Sequence, residues 1–231
     1  MTQFVASLPT ESLLPLLTSL LNAHPGLKPV ILQLIPRPSL ETAIHALASS
    51  AKKLTDAYPY SNTSFDTTSS PSIAFNSNGG MRESYVVSRL RTPIADFMSA
   101  CLSYLPYFSF IPSADTQTQQ SHTHKDRPNL SETFLFLSAL TRHVFAQPAL
   151  TQASLSPLLL ARLSKEWMTW LGRVDAVVNA EGGMFGYETA NGWIQGLDGF
   201  ANAKESAFAE MMQAVRDAWL EKVGWLVGRT R

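Results

Sequence analysis

The sequence predicts an all-α protein. Apolar residues recur every three or four positions through most of its 231 residues, the spacing of one helix face. No stretch alternates apolar and polar residues with the β-branched bias of a strand, so essentially no sheet is expected. Proline, glycine and short polar runs interrupt the pattern at helix-length intervals, and nothing repeats at a fixed period.

The first helix is expected from Thr10, a good N-cap. Leu13, Leu14, Leu17, Leu20 and Leu21 recur on one face, and Leu16 widens it. Pro15 falls in the second turn, where it is tolerated better than deeper in a helix. His24-Pro25-Gly26 stops the segment. A second short helix is predicted over Lys28–Leu34, with Pro29 near its first position. Pro36-Arg37-Pro38 ends it. Ser39 then caps a third helix that carries Ile44, Leu47, Ala51 and Leu54 on one face and stops at Pro59. Six leucines in the first helix exceed what packing against two small neighbours needs. A surplus apolar face of that kind meets a partner, so residues 10–58 are expected to form a symmetric homodimer.

Residues 61–81 are rich in Ser, Thr, Asn and Gly and lack an apolar period. They read as a flexible linker. The expected organisation is an N-terminal helical unit over 1–60, the linker, and a helical bundle over 82–231. The bundle opens with a helix carrying Tyr85, Val86, Leu90, Ile94, Phe97, Met98, Cys101, Leu102 and Leu105. Its stripe keeps phase across Pro93, which predicts one kinked, continuous helix. A polar loop over 112–130 follows. A helix opened by Ser131 and Glu132 comes next, then a turn over 147–155. The longest helix is expected from about Ser156 to Glu181, with Leu159, Leu163, Trp167, Trp170, Leu171, Val174 and Val178 buried. Gly182-Gly183 end it. An aromatic connector leads to a helix around Trp193. The last helix, about Glu205 to Leu226, buries Phe208, Met211, Met212, Val215, Trp219 and Val223.

Composition narrows the function classes. Hydrophobic residues make up 45% of the chain, which excludes an intrinsically disordered protein. The 18 basic and 18 acidic residues cancel. A protein that holds nucleic acid through phosphates carries a basic excess, so no nucleic-acid partner is expected. Cys101 is the one cysteine. It excludes an intramolecular disulfide framework, fits a reducing compartment, and reads as a small buried side chain. No N-terminal segment has the order of a secretory signal. Apolar stretches end well short of the ~20 residues of a spanning helix, so a soluble protein with at most peripheral membrane contact is expected.

Catalytic apparatus is not visible. His122 and His124 form a His-x-His in a polar loop but lack third and fourth ligands at usable spacing. HExxH, GxSxG, CxxC and a phosphate-binding GxxxxGK[ST] are absent. Asp96, Asp175, Asp198 and Asp217 are isolated from one another. No catalytic residue, metal site or cofactor is therefore expected. Arg82 and Arg89 are seven residues apart and share a helix face, with Arg91 close by. Arginine grips carboxylates and phosphates by two-pronged hydrogen bonds, which makes these three an anion- or partner-binding surface. The plainer alternative is that they brace the helix by pairing with Glu83 or Asp96. Trp167, Trp170, Trp193, Trp219 and Trp225 all fall in the last third. They suit a packed core, and some of them a partner groove.

The residues also carry a family resemblance. HPGLKPVILQLIPRPSLETAIHAL, AYPY and ESYVVSRLRTPIADFMSA, then FLFLSALTRHVF, LSKEWMTWLGRVDAVVNAEGG, FGYETANGWIQGLDGFAN and AVRDAWLEKVGWLVG, follow one another in the order and spacing of the fungal nuclear-proteasome tethering factors. The sequence resembles that family over most of its length. The signature positions are Arg37, Pro38, Tyr58, Pro59, Tyr60, Tyr85, Pro93, Trp167, Gly183, Tyr187, Trp193 and Trp225. The resemblance implies a small N-terminal helical dimerisation unit joined to a six-helix bundle similar in architecture to 14-3-3. It implies a non-enzymatic adaptor that retains proteasomes in the nucleus or at the nuclear envelope for ubiquitin-dependent degradation, with some protein in the cytoplasm. Its implied partners are the proteasome, a second copy of itself, a nuclear import receptor and peripheral nuclear-membrane lipid. Family members usually carry a lysine-rich tail ahead of the dimerisation unit, whereas residues 1–27 contain no Lys or Arg. The alternative reading is a helical phosphopeptide- or ligand-binding adaptor unrelated to the proteasome.

Overall fold

The computed structural model describes residues 10–27, 37–58, 79–111, 128–204 and 206–229. Among these residues the protein is all-helical, with seven α-helices and no strand. They are α1 (Thr10–Ala23), α2 (Leu40–Ala57), α3 (Gly79–Tyr104), α4 (Leu130–Phe145), α5 (Ala149–Asp175), α6 (Tyr187–Ala201) and α7 (Ala207–Val223). The chain divides into two compact units, Met1–Pro38 and Ser39–Arg231. In the first, Pro15 lies inside α1, and a 3-10 turn over Pro25–Leu27 closes the helix where His24-Pro25-Gly26 predicts a stop. The short helix expected at 28–34 falls outside the described residues, as do His122 and His124.

The second unit contains α2 to α7. The third helix of the sequence reading, α2, belongs here rather than with the N-terminal segment. Its face of Ala43, Leu47, Ala51 and Leu54 is buried in the bundle core. Packing places it against α3 and α4. The first unit ends at Pro38, ahead of α2, and residues 61–78 of the expected linker lie outside the described residues. Ser39 caps α2 by accepting from the Thr42 N–H at 3.2 Å.

Helix α3 runs unbroken through Pro93. Val86, Leu90, Ile94, Phe97, Cys101 and Leu105 are buried, whereas Tyr85 and Leu102 are exposed. The stripe is narrower than the sequence suggests: α3 packs against α2 and α5, and Tyr85 and Leu102 fall at the edge of that face. Asn129 caps α4, accepting from the Ser131 N–H at 2.8 Å. The long helix α5 begins at Ala149, seven residues earlier than expected. Pro148 supplies its N-cap position, and Gln152 donates back to the Gln147 carbonyl at 2.8 Å. That bond closes a corner of three residues, Ala146 to Pro148, and most of the expected turn over 147–155 is helix. Pro157 therefore sits inside the helix.

The core is aromatic where α4, α5 and α6 meet. Phe134 lies 5.7 Å from Trp167, 5.3 Å from Trp170 and 6.1 Å from Trp193, measured between ring centroids. A side chain at Gly196 would put its Cβ 2.9 Å from the Phe134 ring, so only glycine lets α6 approach that cluster. A buried indole N–H is stabilised by a hydrogen-bond partner, and two of the core tryptophans have one. Trp167 donates to Thr141 Oγ1 at 3.1 Å, and Trp170 to the Leu130 carbonyl at 3.0 Å.

Candidate functional site

The leucine face of α1 is open within its own unit. Leu16, Leu17 and Leu20 are 52%, 37% and 39% exposed, and Leu21 is half-buried. The side chains of Leu13 and Leu14 fall outside the described residues. An amphipathic helix that leaves three leucines in water has an unfinished apolar contact. In α2, Leu47 and Leu54 are fully buried in the bundle and Leu40 packs against its core.

Arg89 and Arg91 are exposed on α3, and the side chain of Arg82 falls outside the described residues. Neither Arg89 nor Arg91 forms an ion pair among the described residues. At ~100° per residue the helix turns Arg91 well away from the Arg89 face. The two therefore widen the basic surface around α3 and do not stack into one clamp.

The link between α5 and α6 is held tightly. The last turn of α5 passes into a π-helical turn over Ala176–Ala180. Asp175 accepts from Lys222 Nζ at 2.8 Å and from Asn179 Nδ2 at 2.8 Å. The lysine and asparagine hold the Asp175 carboxyl below its ordinary range. Asn179 also donates to the Lys222 carbonyl, so one polar knot ties the end of α5 to the end of α7. Gly182 then takes φ +68°, and Gly183 packs so closely that a Cβ would lie 2.8 Å from Val177. This turn leaves Met184 and Tyr187 exposed while Phe185 packs on Trp193 at 4.9 Å.

The other signature positions divide by burial. Trp167 and Trp193 are core residues. Arg37, Pro38 and Pro93 are half-buried, as is Tyr58, which follows α2 as its C-cap. Tyr85 and Trp225 are exposed. Pro59 and Tyr60 lie outside the described residues. Four of the five tryptophans are buried, which assigns the aromatic run of the last third mainly to packing.

One buried charge is not apparent from the periodic pattern. Glu166, 2% exposed, accepts from Ser109 Oγ at 2.6 Å and lies 2.7 Å from Arg162 Nη2. Ser109 Oγ also accepts from the Ile111 N–H. The carboxylate thereby pins the segment after α3 onto α5. Burial pushes the Cys101 thiol up to about 12, which keeps it protonated and unreactive. Among the described residues no three His, Cys, Asp or Glu side chains gather as a metal set, and no helix is long and apolar enough to cross a membrane.

A family model described as Cut8, nuclear proteasome tether protein, matches residues 1–219. No solved structure matches the chain.

Proposed function

The chain belongs to the Cut8 family of nuclear proteasome tether proteins, and on that premise we propose that it is a non-enzymatic adaptor retaining proteasomes in the nucleus or at the nuclear envelope for ubiquitin-dependent degradation. The observation that carries this reading is the extent of the match, which runs from the N-terminal segment through most of the last helix. In this reading the N-terminal unit dimerises through the exposed leucines of α1. Six helices, α2 to α7, make up the bundle, for which a 14-3-3-like arrangement is the family expectation. The division differs from a bundle of residues 82–231, which would hold only five of them.

Two surfaces suit an adaptor. The α1 face would join two copies. The exposed Arg89 and Arg91, with Arg82 on the same helix, would hold an acidic proteasome segment or lipid head groups. An import receptor would account for nuclear entry, with a cytoplasmic pool in transit. The test is proteasome position in cells. Deleting the gene should shift a fluorescently labelled proteasome subunit from nucleus to cytoplasm, and re-expression should return it. An unchanged distribution refutes the tethering role.

A further inference from the structure

Thr92 stands near the centre of the solvent face of α3. It is exposed, on the side of the helix away from the buried Leu90, Ile94 and Phe97. Thr55, Ser103, Ser154 and Thr169 each donate their hydroxyl to the carbonyl four residues back, at 2.7–3.0 Å. The Thr92 hydroxyl has no hydrogen-bond partner among the described residues. At ~100° per residue, Arg89 lies ~60° to one side of Thr92 around the helix and Arg91 ~100° to the other. The basic surface of α3 thus has a free hydroxyl between its two exposed arginines. Asp96, one turn on, is exposed and pairs with neither of them.

The residue after Thr92 is a proline inside the helix. Pro93 has no N–H, so the Arg89 carbonyl lacks the bond that a helix makes four residues on. A residue before proline is also biased away from helical geometry toward extended chain. Thr92 is held helical against that bias, so the turn 89–93 opens at lower cost than its neighbours. An extended hydroxyl followed by proline is the acceptor that a proline-directed protein kinase takes. Ser156 is the other described hydroxyl followed by proline, but it is half-buried and no arginine lies within four residues of it.

We propose that Thr92 is a phosphorylation site for a proline-directed kinase, and that its phosphate switches off the anion-holding surface of Arg89 and Arg91. The switch rests on the anion-holding role proposed for those arginines. In the step, the γ-phosphorus of a nucleoside triphosphate bonds to Thr92 Oγ1 as its bond to the bridging oxygen breaks. The nucleoside diphosphate leaves, and the hydroxyl proton passes to the kinase's catalytic base. The phosphate carries about −1.5 to −2 charges at neutral pH, which offsets the two arginines. Arg89, one turn back, is placed to hold it by charge-assisted hydrogen bonds. An outside carboxylate or phosphate then meets a surface already neutralised.

The test uses the full-length protein, a purified proline-directed kinase with magnesium and ATP, and a fluorescent hexaglutamate peptide. Fragmentation mass spectrometry should find phosphate at Thr92. In fluorescence anisotropy at low salt, the phosphorylated protein should bind hexaglutamate about tenfold more weakly than the unmodified one, through the loss of two exposed charge contacts. Thr92→Val, treated with the same kinase, should keep the unmodified affinity, which separates Thr92 from phosphate at Ser70 or Ser156. No phosphate at Thr92, equal binding by the phosphorylated and unmodified proteins, or a kinase-treated Thr92→Val protein that weakens as much as the wild type would each overturn the switch alone. An unmodified protein that does not bind hexaglutamate would overturn the anion-holding surface and the switch together.

Discussion

Trp167 is the most informative residue to remove from the bundle. Its side chain is 0% exposed. It packs edge-on against Trp170 at 5.6 Å and against Phe134 at 5.7 Å, and it donates to Thr141 Oγ1. Replacing it with alanine removes the ring and leaves a cavity, because close-packed neighbours relax only in part. Such a change costs about 3–5 kcal/mol, and the orphaned buried Thr141 hydroxyl adds to the loss. Domains of this size have about 5–15 kcal/mol in total, so Trp167→Ala should retain marginal stability at best. For a chain of 150–250 residues that loss lowers Tm by ~6–20 °C. Urea titration followed by far-ultraviolet circular dichroism reads it directly. Trp167→Phe keeps a ring in place and should lose less. Trp225→Ala, at a side chain half in water, should change stability by under about 0.5 kcal/mol. A Trp167→Ala protein with the wild-type urea midpoint would mean that the α5 stripe is not the centre of the core.

Leu17→Asp with Leu20→Asp should give a folded monomer where the wild type is a dimer at tens of micromolar; light scattering showing a monomeric wild type removes the α1 interface. His143 is held below its ordinary 6.5 first by burial and then by Arg142. The unfolded chain thus takes up its proton first, and stability should fall as pH drops below 6.5. His143→Gln should flatten that slope between pH 7 and pH 5, as read from urea midpoints. Asp175, depressed from 3.8, stabilises the fold above that pH and loses its contribution as pH falls through its folded value. Asp175→Asn should therefore bring the acid-unfolding midpoint closer to neutrality in circular dichroism. Arg89→Glu with Arg91→Glu should leave the melting curve intact and displace labelled proteasomes from the nucleus.

Helices are legible wherever one face is strongly apolar and a cap stands at its start. Ser39 and the α2 face are read from sequence within one residue, Ile44 giving way to Ala43 on the buried side. Boundaries set by tertiary bonds are less legible. Nothing local announces that α5 starts at Ala149, because a long-range amide network fixes the corner: Gln147 reaches the backbone of α2, 96 residues away. The unit boundary is hidden for the same reason. A polar stretch at 61–81 with no apolar period suggests a division, yet α2 packs onto α3. Glu166 left a trace. It adjoins Trp167 on the apolar face and stands four residues after Arg162, a spacing that lets the pair meet on one helix. Periodicity counts only apolar positions and passes over such a charge. The leucine face of α1 is the reverse case: a surplus of leucines is plain in sequence, and three of them are exposed.

The distribution of ion pairs bears on where an anionic partner would be held. The pairs among the described residues join Arg162 to Glu166, Arg173 to Glu181, Arg216 to Asp217, Lys222 to Asp175 and Arg229 to Asp198. All lie in α5 and beyond; two are local to one helix, Arg162–Glu166 and Arg216–Asp217, and the others join residues further apart in the chain. On α3 the bracing alternative needs Arg89 or Arg91 to meet Glu83 or Asp96. All four residues are exposed and described, and no such pair forms. Exposed pairs would in any case contribute only ~0–1 kcal/mol, so reversing both charges has little to destabilise. That separates the two roles cleanly. Reversal removes two positive charges and adds two negative ones at exposed positions that form no ion pair among the described residues. A folded double variant with normal nuclear proteasomes would move the tethering contact away from α3. An unfolded one would show that the arginines brace the helix through contacts other than ion pairs.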